Sequence, residues 1–307
     1  FIYLMFNPNS VAEHIEKYKE KILDQYAEAL KESEYFDMEA LFNAIFEYQK
    51  ECQKIDYSGQ PKFEFVIADQ TYFLRPFVHL HTHTEYSLSD GIAKIEALVD
   101  KAMADGMSGL AITDHANMFG IAEFVEYVER KNRKLDTSFK PIIGCEVYVA
   151  RRRMEDRVHG VDNDPYHLVL LCENRKGYEN LCLMVSEAFQ HGFYGKPRVD
   201  IPLLEKHHEG LIALSACLAG EIPRALLAGD MDRVEETALF YKELFGDDFY
   251  IEIQDHGIED QATVLPMLLQ LARKHDIQLV ATNDCHYINK EDSKMQYALI
   301  CVQTNKT

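Results

Sequence analysis

The chain has 307 residues, 47% of them hydrophobic and 27% charged. That length holds one large domain, or a domain with a smaller appendage, and the balance is globular rather than disordered or collagenous. With 32 basic against 51 acidic residues the net charge is −19, which argues against passive wrapping of a nucleic-acid backbone and leaves any phosphate contact to a local basic patch or to bound cations.

The first ten residues, FIYLMFNPNS, have no basic segment and no small-residue cleavage site, so no secretory signal is expected. The chain opens on Phe1 rather than Met, which points to a trimmed product or a fragment. Residues 1–76 read as an N-terminal helical and α+β extension. Ile15, Tyr18, Ile22, Tyr26 and Leu30 recur at spacings of three and four and predict a helix over 11–31, with Asn9 or Ser10 as its cap. Leu41, Ile45 and Tyr48 predict a second over 38–53. Extended runs at 62–68 and 71–74, around Asp69-Gln70, suggest a hairpin. No constellation of reactive side chains falls here, and the extension reads as a packing or docking appendage.

From residue 77 to 307 the pattern changes to alternating strands and helices. Apolar runs at 77–80, 109–113, 142–149, 167–171, 210–214, 249–253 and 278–282 predict strands. Helices are expected at 92–105, 120–133, 175–190, 221–228 with 231–245, and 259–275. Such alternation suggests a parallel sheet, open or closed into a barrel near the size of the eightfold one. No apolar run reaches the roughly 18 residues of a membrane helix. The seven cysteines (Cys52, Cys145, Cys172, Cys182, Cys217, Cys285, Cys301) are odd in number and scattered, with no CxxC pair. That is the usage of reduced, cytoplasmic thiols.

The histidines cluster. His79, His81 and His83 lie in one run, HLHTH, and at period two they share a face. Asp90 follows. The same kind of residue recurs at other strand ends: His115 after 109–113, Glu146 within GCEVY, His167 opening HLVLL, Cys217 after 210–214, and Asp284 and His286 after 278–282. Imidazole and carboxylate are the usual ligands of zinc and manganese, and barrel enzymes build their sites at strand ends. For any single one of these residues core packing is a competing reading. Five strand ends offering ligands together are not explained by packing. Nine candidate ligands exceed the four to six of one ion and suggest two or three ions sharing carboxylates. Two ions about 4 Å apart clamp the attacking and leaving oxygens of a phosphoester. Metal-assisted phosphoester hydrolysis is the reading that follows, with an amidohydrolase barrel as the other.

FVHLHTHTEYSLSDG, LAITDHANMFG, KPIIGCEVYVA, YHLVLL, GLIALSACLAGEIPRALLAGD and LVATNDCHYINKED resemble the PHP (polymerase and histidinol phosphatase) domain. The resemblance is to the domain that begins the alpha subunit of bacterial DNA polymerase III, a C-family replicative polymerase, and covers Pro76 to Thr307. LSACLAGEIP, GFYGKPRVD and FYIEIQDHG set it apart from stand-alone histidinol phosphatases. It implies a distorted (β/α)7 barrel with two to three divalent ions, zinc or manganese with iron as a further option. His81, His83, Glu146 and Asp284 would hold one ion, Glu146, His167 and Cys217 a second, and Asp90, His115 and His286 a third. Cys217 stands where stand-alone relatives have a histidine; as a thiolate it still binds zinc.

The resemblance further implies 3′–5′ exonuclease activity of a proofreading kind, by attack of metal-bound hydroxide on the last phosphodiester of a DNA 3′ end. His81, His83, Asp90, Glu146 and Asp284 are the expected catalytic residues. Lys196 and Arg198 are candidates for substrate phosphate, and Glu252 and His256 for supporting the ligands. Expected partners are DNA, the remainder of the alpha subunit and replisome proteins, with no membrane contact. The sequence stops at QTNKT, where a palm domain would begin, so the chain alone is not expected to synthesise DNA. The competing functions are a metal-stabilised scaffold or docking domain and a small-molecule phosphatase.

Overall fold

The computed structural model describes residues 63–67, 70–74, 77–135 and 138–304. The expected helices at 11–31 and 38–53 lie outside the described residues. The expected hairpin has its backbone described: β1 (Phe63–Ile67) pairs antiparallel with β2 (Gln70–Leu74), Phe63 opposite Leu74.

The rest alternates as the apolar runs predict. In order come α1 (Ile95–Ala104), β3 (Gly109–Ile112), α2 (Ile121–Asn132), β4 (Lys140–Val149), β5 (Tyr166–Cys172) and α3 (Arg175–Gln190). Then follow β6 (Phe193–Tyr194), β7 (Lys196–Val199), α4 (Ile201–His207), β8 (Leu211–Leu214), α5 (Glu221–Ala228) and α6 (Met231–Phe245). The described part ends with β9 (Phe249–Ile253), α7 (Glu259–His275), β10 (Gln278–Ala281) and α8 (Ser293–Thr304). Local chemistry sets many of the boundaries. Asn174 caps α3 by accepting the Gly177 N–H, and Asp200 caps α4 from Leu203, with Pro202 in the first turn where its missing N–H costs nothing. Gly229, at φ 72°, ends α5 in the left-handed conformation that glycine adopts without strain. Among the described residues no helix is long and apolar enough to cross a membrane.

The sheet runs β10-β9-β8-β5-β4-β7-β6, with β3 also on β4. β4 is long enough to serve several neighbours: β3 along Lys140–Ile143 and β7 at Tyr148–Val149, with β5 along Gly144–Val149. Residues 77–80, expected as a strand, are irregular, and only Thr82 makes a strand-like bridge, to Cys285. That segment nevertheless closes the ring. On one side the Ala111 N–H donates to His79 O (2.8 Å) and the Thr113 N–H to Thr82 O (2.9 Å). On the other the His83 N–H donates to Cys285 O (2.7 Å). The result is a distorted barrel of seven staves: 79–83, β3, β4, β5, β8, β9 and β10.

One stave departs from the all-parallel expectation. β5 is antiparallel to both β4 and β8. The mouth at the C-terminal ends of the other staves therefore receives the N-terminal end of β5, which is where His167 lies. Inside the ring Ala111, Val169, Leu171, Leu214, Ala216 and Val280 form a small apolar plug. Outside it, α1 and α2 pack on β3 through Leu98, Val99, Phe124 and Val128, and a larger layer joins α3 to α7 to the other strands. Burial on both faces is why the strands read as continuous apolar runs rather than alternating ones.

Candidate metal centre

The barrel mouth gathers side chains from most of its staves. His81 and His83 come from the irregular run, Asp90 from the loop behind it and His115 from beyond β3. Glu146 comes from β4, His167 from the start of β5, Cys217 from beyond β8, and Asp284 and His286 from beyond β10. Gly91 keeps the Asp90 loop tight: a Cβ there would fall 2.0 Å from Thr84 O. Ala116, Ala216 and Asp284, all at the mouth, hold positive φ of 50°, 65° and 46°. Backbone strain of this kind persists where surrounding structure over-determines a site.

Hydrogen bonds on the outer side of the rings decide what faces inward. The His81 Nδ1–H donates to Glu252 Oε1 at 2.7 Å. Glu252 is itself buried and also accepts from Gln254 Nε2 (2.9 Å) and the Thr282 hydroxyl. The Ser87 hydroxyl donates to Asp114 Oδ1 (2.7 Å) and accepts from His83 Nδ1–H (2.9 Å). The His286 Nδ1–H donates to the Asp284 carbonyl at 2.9 Å. Each arrangement leaves Nε2 as the inward atom, the support that metal-ligating histidines require.

The inward atoms are short of partners. His81 Nε2, His83 Nε2, His115 Nδ1, Asp90 Oδ1, Glu146 Oε2 and Asp284 Oδ1 are buried and lack a hydrogen bond within the protein. They nevertheless converge. His81 Nε2 is 3.3 Å from both Glu146 Oε1 and Asp284 Oδ1, and His83 Nε2 is 3.1 Å from Asp284 Oδ1. His115 Nδ1 lies 2.5 Å from Glu146 Oε2, and His115 Nε2 lies 3.2 Å from Asp90 Oδ2. Two ligands bonded to one ion at about 2.1 Å with a tetrahedral angle stand roughly 3.4 Å apart. The spacing and donor set fit divalent cations.

Among the described residues, three overlapping groups have ligand atoms within 4.8 Å of one another: His83, His115 and His286; His81, His83 and Glu146; and His115, Glu146 and His167. His115 thus faces two groups, where the sequence reading assigned it to one. Cys217 stands at the edge of the third group, its Sγ 4.0 Å from Glu146 Oε1 and from His167 Nδ1. Burial and the Glu146 charge push its thiol well above the usual range.

The electrostatics demand positive charge. Burial opposes protonation of His81, yet Asp284, Glu252 and Glu146 hold its pKa well above the usual value. Burial likewise opposes His115, and Glu146 with Asp90 still raise it to about 10. His83 goes the other way, to about 3, because burial and the neighbouring His115 outweigh Asp284. Without a cation the carboxylates recruit protons onto the rings beside them.

His79 joins none of these contacts. Its ring meets Phe77 edge-on at 4.5 Å and its Nδ1 is 3.6 Å from Cys285 Sγ, while burial pulls its pKa down to about 4. His256 sits beside the mouth, held at Nδ1 by Gln261 (3.0 Å). Lys196 is half-buried with Nζ 4.2 Å from the centroid of the Tyr148 ring. Burial lowers its pKa against the pull of Glu146, Asp164 and Asp90.

Arg198 is a correction. Expected at substrate phosphate, it is fully buried, and its guanidinium donates to the carbonyls of Gly192, Asp162, Met154 and Asp156 at 2.7–3.0 Å. Four of its five N–H donors are engaged and the side chain is fully buried, so it is held as a structural cross-link rather than presented to a ligand. Arg198→Ala is expected to cost about 3 kcal/mol or more by orphaning these carbonyls, read as a shift in urea midpoint. Arg198→Lys should recover little, since one ammonium cannot span four carbonyls.

Two supporting residues escaped the sequence reading. Asp114 accepts from the Thr84 N–H (2.7 Å), the Thr84 hydroxyl (2.8 Å) and Ser87, and so anchors the support of His83. Only its neighbour His115 drew attention, because a buried carboxylate saturated by hydroxyls has no signature of its own. Ser87 lies within FVHLHTHTEYSLSDG, but no spacing rule marks a serine as a histidine's acceptor.

The profile of the PHP domain matches residues 79–256. The chain belongs to the PHP domain family. Over 232 residues it is 46% identical to DNA polymerase III subunit alpha of Treponema pallidum, covering 75% of this chain and 19% of that protein. The namesake from Thermus aquaticus is 42% identical over 235 residues, with coverage of 75% and 19%. The PHP chain thus spans about a fifth of the length of these curated relatives. Among solved structures, an amidohydrolase from Chromobacterium violaceum is 15% identical with a TM-score of 0.44, covering 72% of this chain and 96% of that one. A Bifidobacterium adolescentis protein provisionally described as a metal-dependent phosphoesterase is 15% identical with a TM-score of 0.43, covering 74% and 96%.

Proposed function

We propose that this PHP domain is a metal-dependent phosphodiesterase of a replicative polymerase, acting as a 3′–5′ exonuclease on a DNA 3′ end. The observation that carries the reading is the convergence of buried, unpartnered imidazole and carboxylate atoms at one barrel mouth. Two to three divalent ions, zinc or manganese, held there by His81, His83, Asp90, His115, Glu146, His167, Cys217, Asp284 and His286, would neutralise phosphoryl charge and acidify water. The chain's own groups do the rest. Glu252 and Ser87 fix the tautomers of His81 and His83. Glu146, between two rings, has its carboxyl held well below the usual range despite burial, by His167 and His115, and stays an acceptor. Lys196 offers its ammonium to a non-bridging phosphate oxygen. The similarity to the polymerase alpha subunits supports DNA as substrate and the rest of that subunit, with replisome proteins, as partners.

A scaffold role has one observation in its favour. The candidate ligands lie between residues 81 and 286 and on most staves, so bound ions would also cross-link the barrel. The two readings part in one experiment. Metal content is measured by elemental analysis, and end-labelled single-stranded and mismatched-primer DNA is offered to the chain and to His81→Ala/His83→Ala. Two to three ions and digestion from the 3′ end, both lost in the variant, are expected. Bound metal without digestion would leave the scaffold, and absence of metal would sink both.

A further inference from the structure

We propose that Arg151 and Arg224 form a phosphate-binding subsite beside the metal centre, one that takes the next phosphodiester of a single DNA strand and is closed in the free protein by Asp164. This deepens the hydrolytic reading and rests on it, since the strand's end is taken to lie at the metal centre.

The ladder between β4 and β5 leads from one site to the other. Tyr148 pairs with His167, and Val149 with Tyr166 on the next rung. Arg151 and Asp164 lie two residues past that rung on the two arms. Three residues of chain, Asp164 to His167, span at most about 11 Å. The clamp is therefore adjacent to the centre, within reach of neighbouring phosphates on an extended strand.

Its geometry is that of an occupied phosphate fork. Arg151 Nη2 and Arg224 Nη1 both donate to Asp164 Oδ2 at 2.7 Å, and Arg224 Nη2 donates to Oδ1 at 3.1 Å. Both guanidinium groups lie over the Tyr166 ring, 4.7 and 5.7 Å from its centroid. Two guanidinium groups on one carboxylate leave an unmatched positive charge, in a chain whose net charge is −19. Asp164 is 58% exposed at its side chain, so a phosphate can replace it without unfolding anything. Bidentate arginine suits phosphate oxygens as it suits a carboxylate, and phosphate brings more acceptors. Lys196, with its Nζ over Tyr148 on the His167 rung, stands on the centre's side of the clamp and extends the basic track to the mouth. Arg233 is not part of it, being engaged by the buried Glu221.

The test is binding of a fluorescein-labelled dT12, capped with 3′ phosphorothioates against digestion, to the full chain, read by anisotropy across a salt series. Arg151→Gln/Arg224→Gln is expected to raise Kd at least 10-fold. It should also flatten the slope of log Kd against log salt by about 0.7 for each phosphate no longer neutralised. Asp164→Asn is expected to act oppositely, tightening binding at least threefold, a sign that a merely structural ion pair would not give. Thermal melts of each variant show whether it folds, and single Arg224→Gln serves if the double variant does not. Unchanged affinity in a folded arginine variant, or weaker binding by folded Asp164→Asn, overturns the clamp. Digestion that needs the His81/His83 pair, with clamp variants binding as wild type, would sink the clamp alone. A responsive clamp with digestion indifferent to that pair would sink the hydrolytic reading instead.

Discussion

Glu146→Gln is expected to abolish hydrolysis, with a fall of about 1,000-fold or more, and to remove at least one equivalent of metal that added metal does not restore. Glu146 is almost fully buried and belongs to two of the three ligand groups, with Oε1 2.8 Å from His167 Nδ1 and Oε2 2.5 Å from His115 Nδ1. Its carboxylate is also 3.3 Å from His81 Nε2. An amide takes away the charge and turns one acceptor into a donor that no cation can use. A 1,000-fold loss is about 4 kcal/mol of barrier, within what a metal site contributes. The informative comparison is Glu252→Gln. That carboxylate supports the back of His81, and also accepts from Gln254 and Thr282, but belongs to none of the ligand groups. Its loss is expected to weaken metal affinity by about 10–100-fold, the usual effect of removing such support, and activity should return at raised metal. Metal titrations of the two variants, read by activity and by elemental analysis, separate ligand from support. Equal rescue of both would remove Glu146 from the ligand set.

The staves were legible because a barrel strand buried on both faces must be apolar throughout, and short runs such as LVLLC or LIAL, bounded by polar residues, fit that setting. Direction was not legible. The run at 167–171 reads the same forward or reversed, so the antiparallel β5 appears only once its partners do. The reversal explains how His167, at the beginning of a strand, meets Cys217, beyond the end of another. FVHL at 77–80 is apolar enough to read as a strand, yet of these residues only His79 pairs with β3, its carbonyl taking the Ala111 N–H, and the bonds to Cys285 past β10 come from His81 and His83. The candidate ligands were visible because histidine and carboxylate next to apolar runs are chemically conspicuous. Their supports were not. Glu252 could be guessed from its setting, but Asp114 and Ser87 act through contacts that sequence spacing does not encode. Arg198 failed for a related reason: a basic residue near a motif looks available until its four carbonyl partners are seen.

Stripping metal by a chelator is expected to lower the melting temperature by several degrees, and the gap between loaded and stripped protein should widen as pH rises. An ion that binds only the folded state stabilises it by about 4 kcal/mol when present at 1,000 times its Kd. Here the loss is compounded, because Asp90, Glu146 and Asp284 then share one mouth with only protonated rings to offset them. Those protons set the pH dependence. The His115 pKa is raised from 6.5 to about 10 in the metal-free protein. A raised folded-state pKa contributes stability that is full below the unfolded value and is lost as pH climbs through the folded one, here between about 6.5 and 10. Metal binding runs the opposite way: the rings must shed their protons to ligate, so affinity strengthens as pH rises. The stripped protein therefore weakens over the same interval in which the loaded one gains. Melting curves with and without chelator at pH 6.5, 8 and 9.5 give the comparison. Coincident melts at every pH would mean that the convergence of ligands at the mouth is satisfied by protons alone.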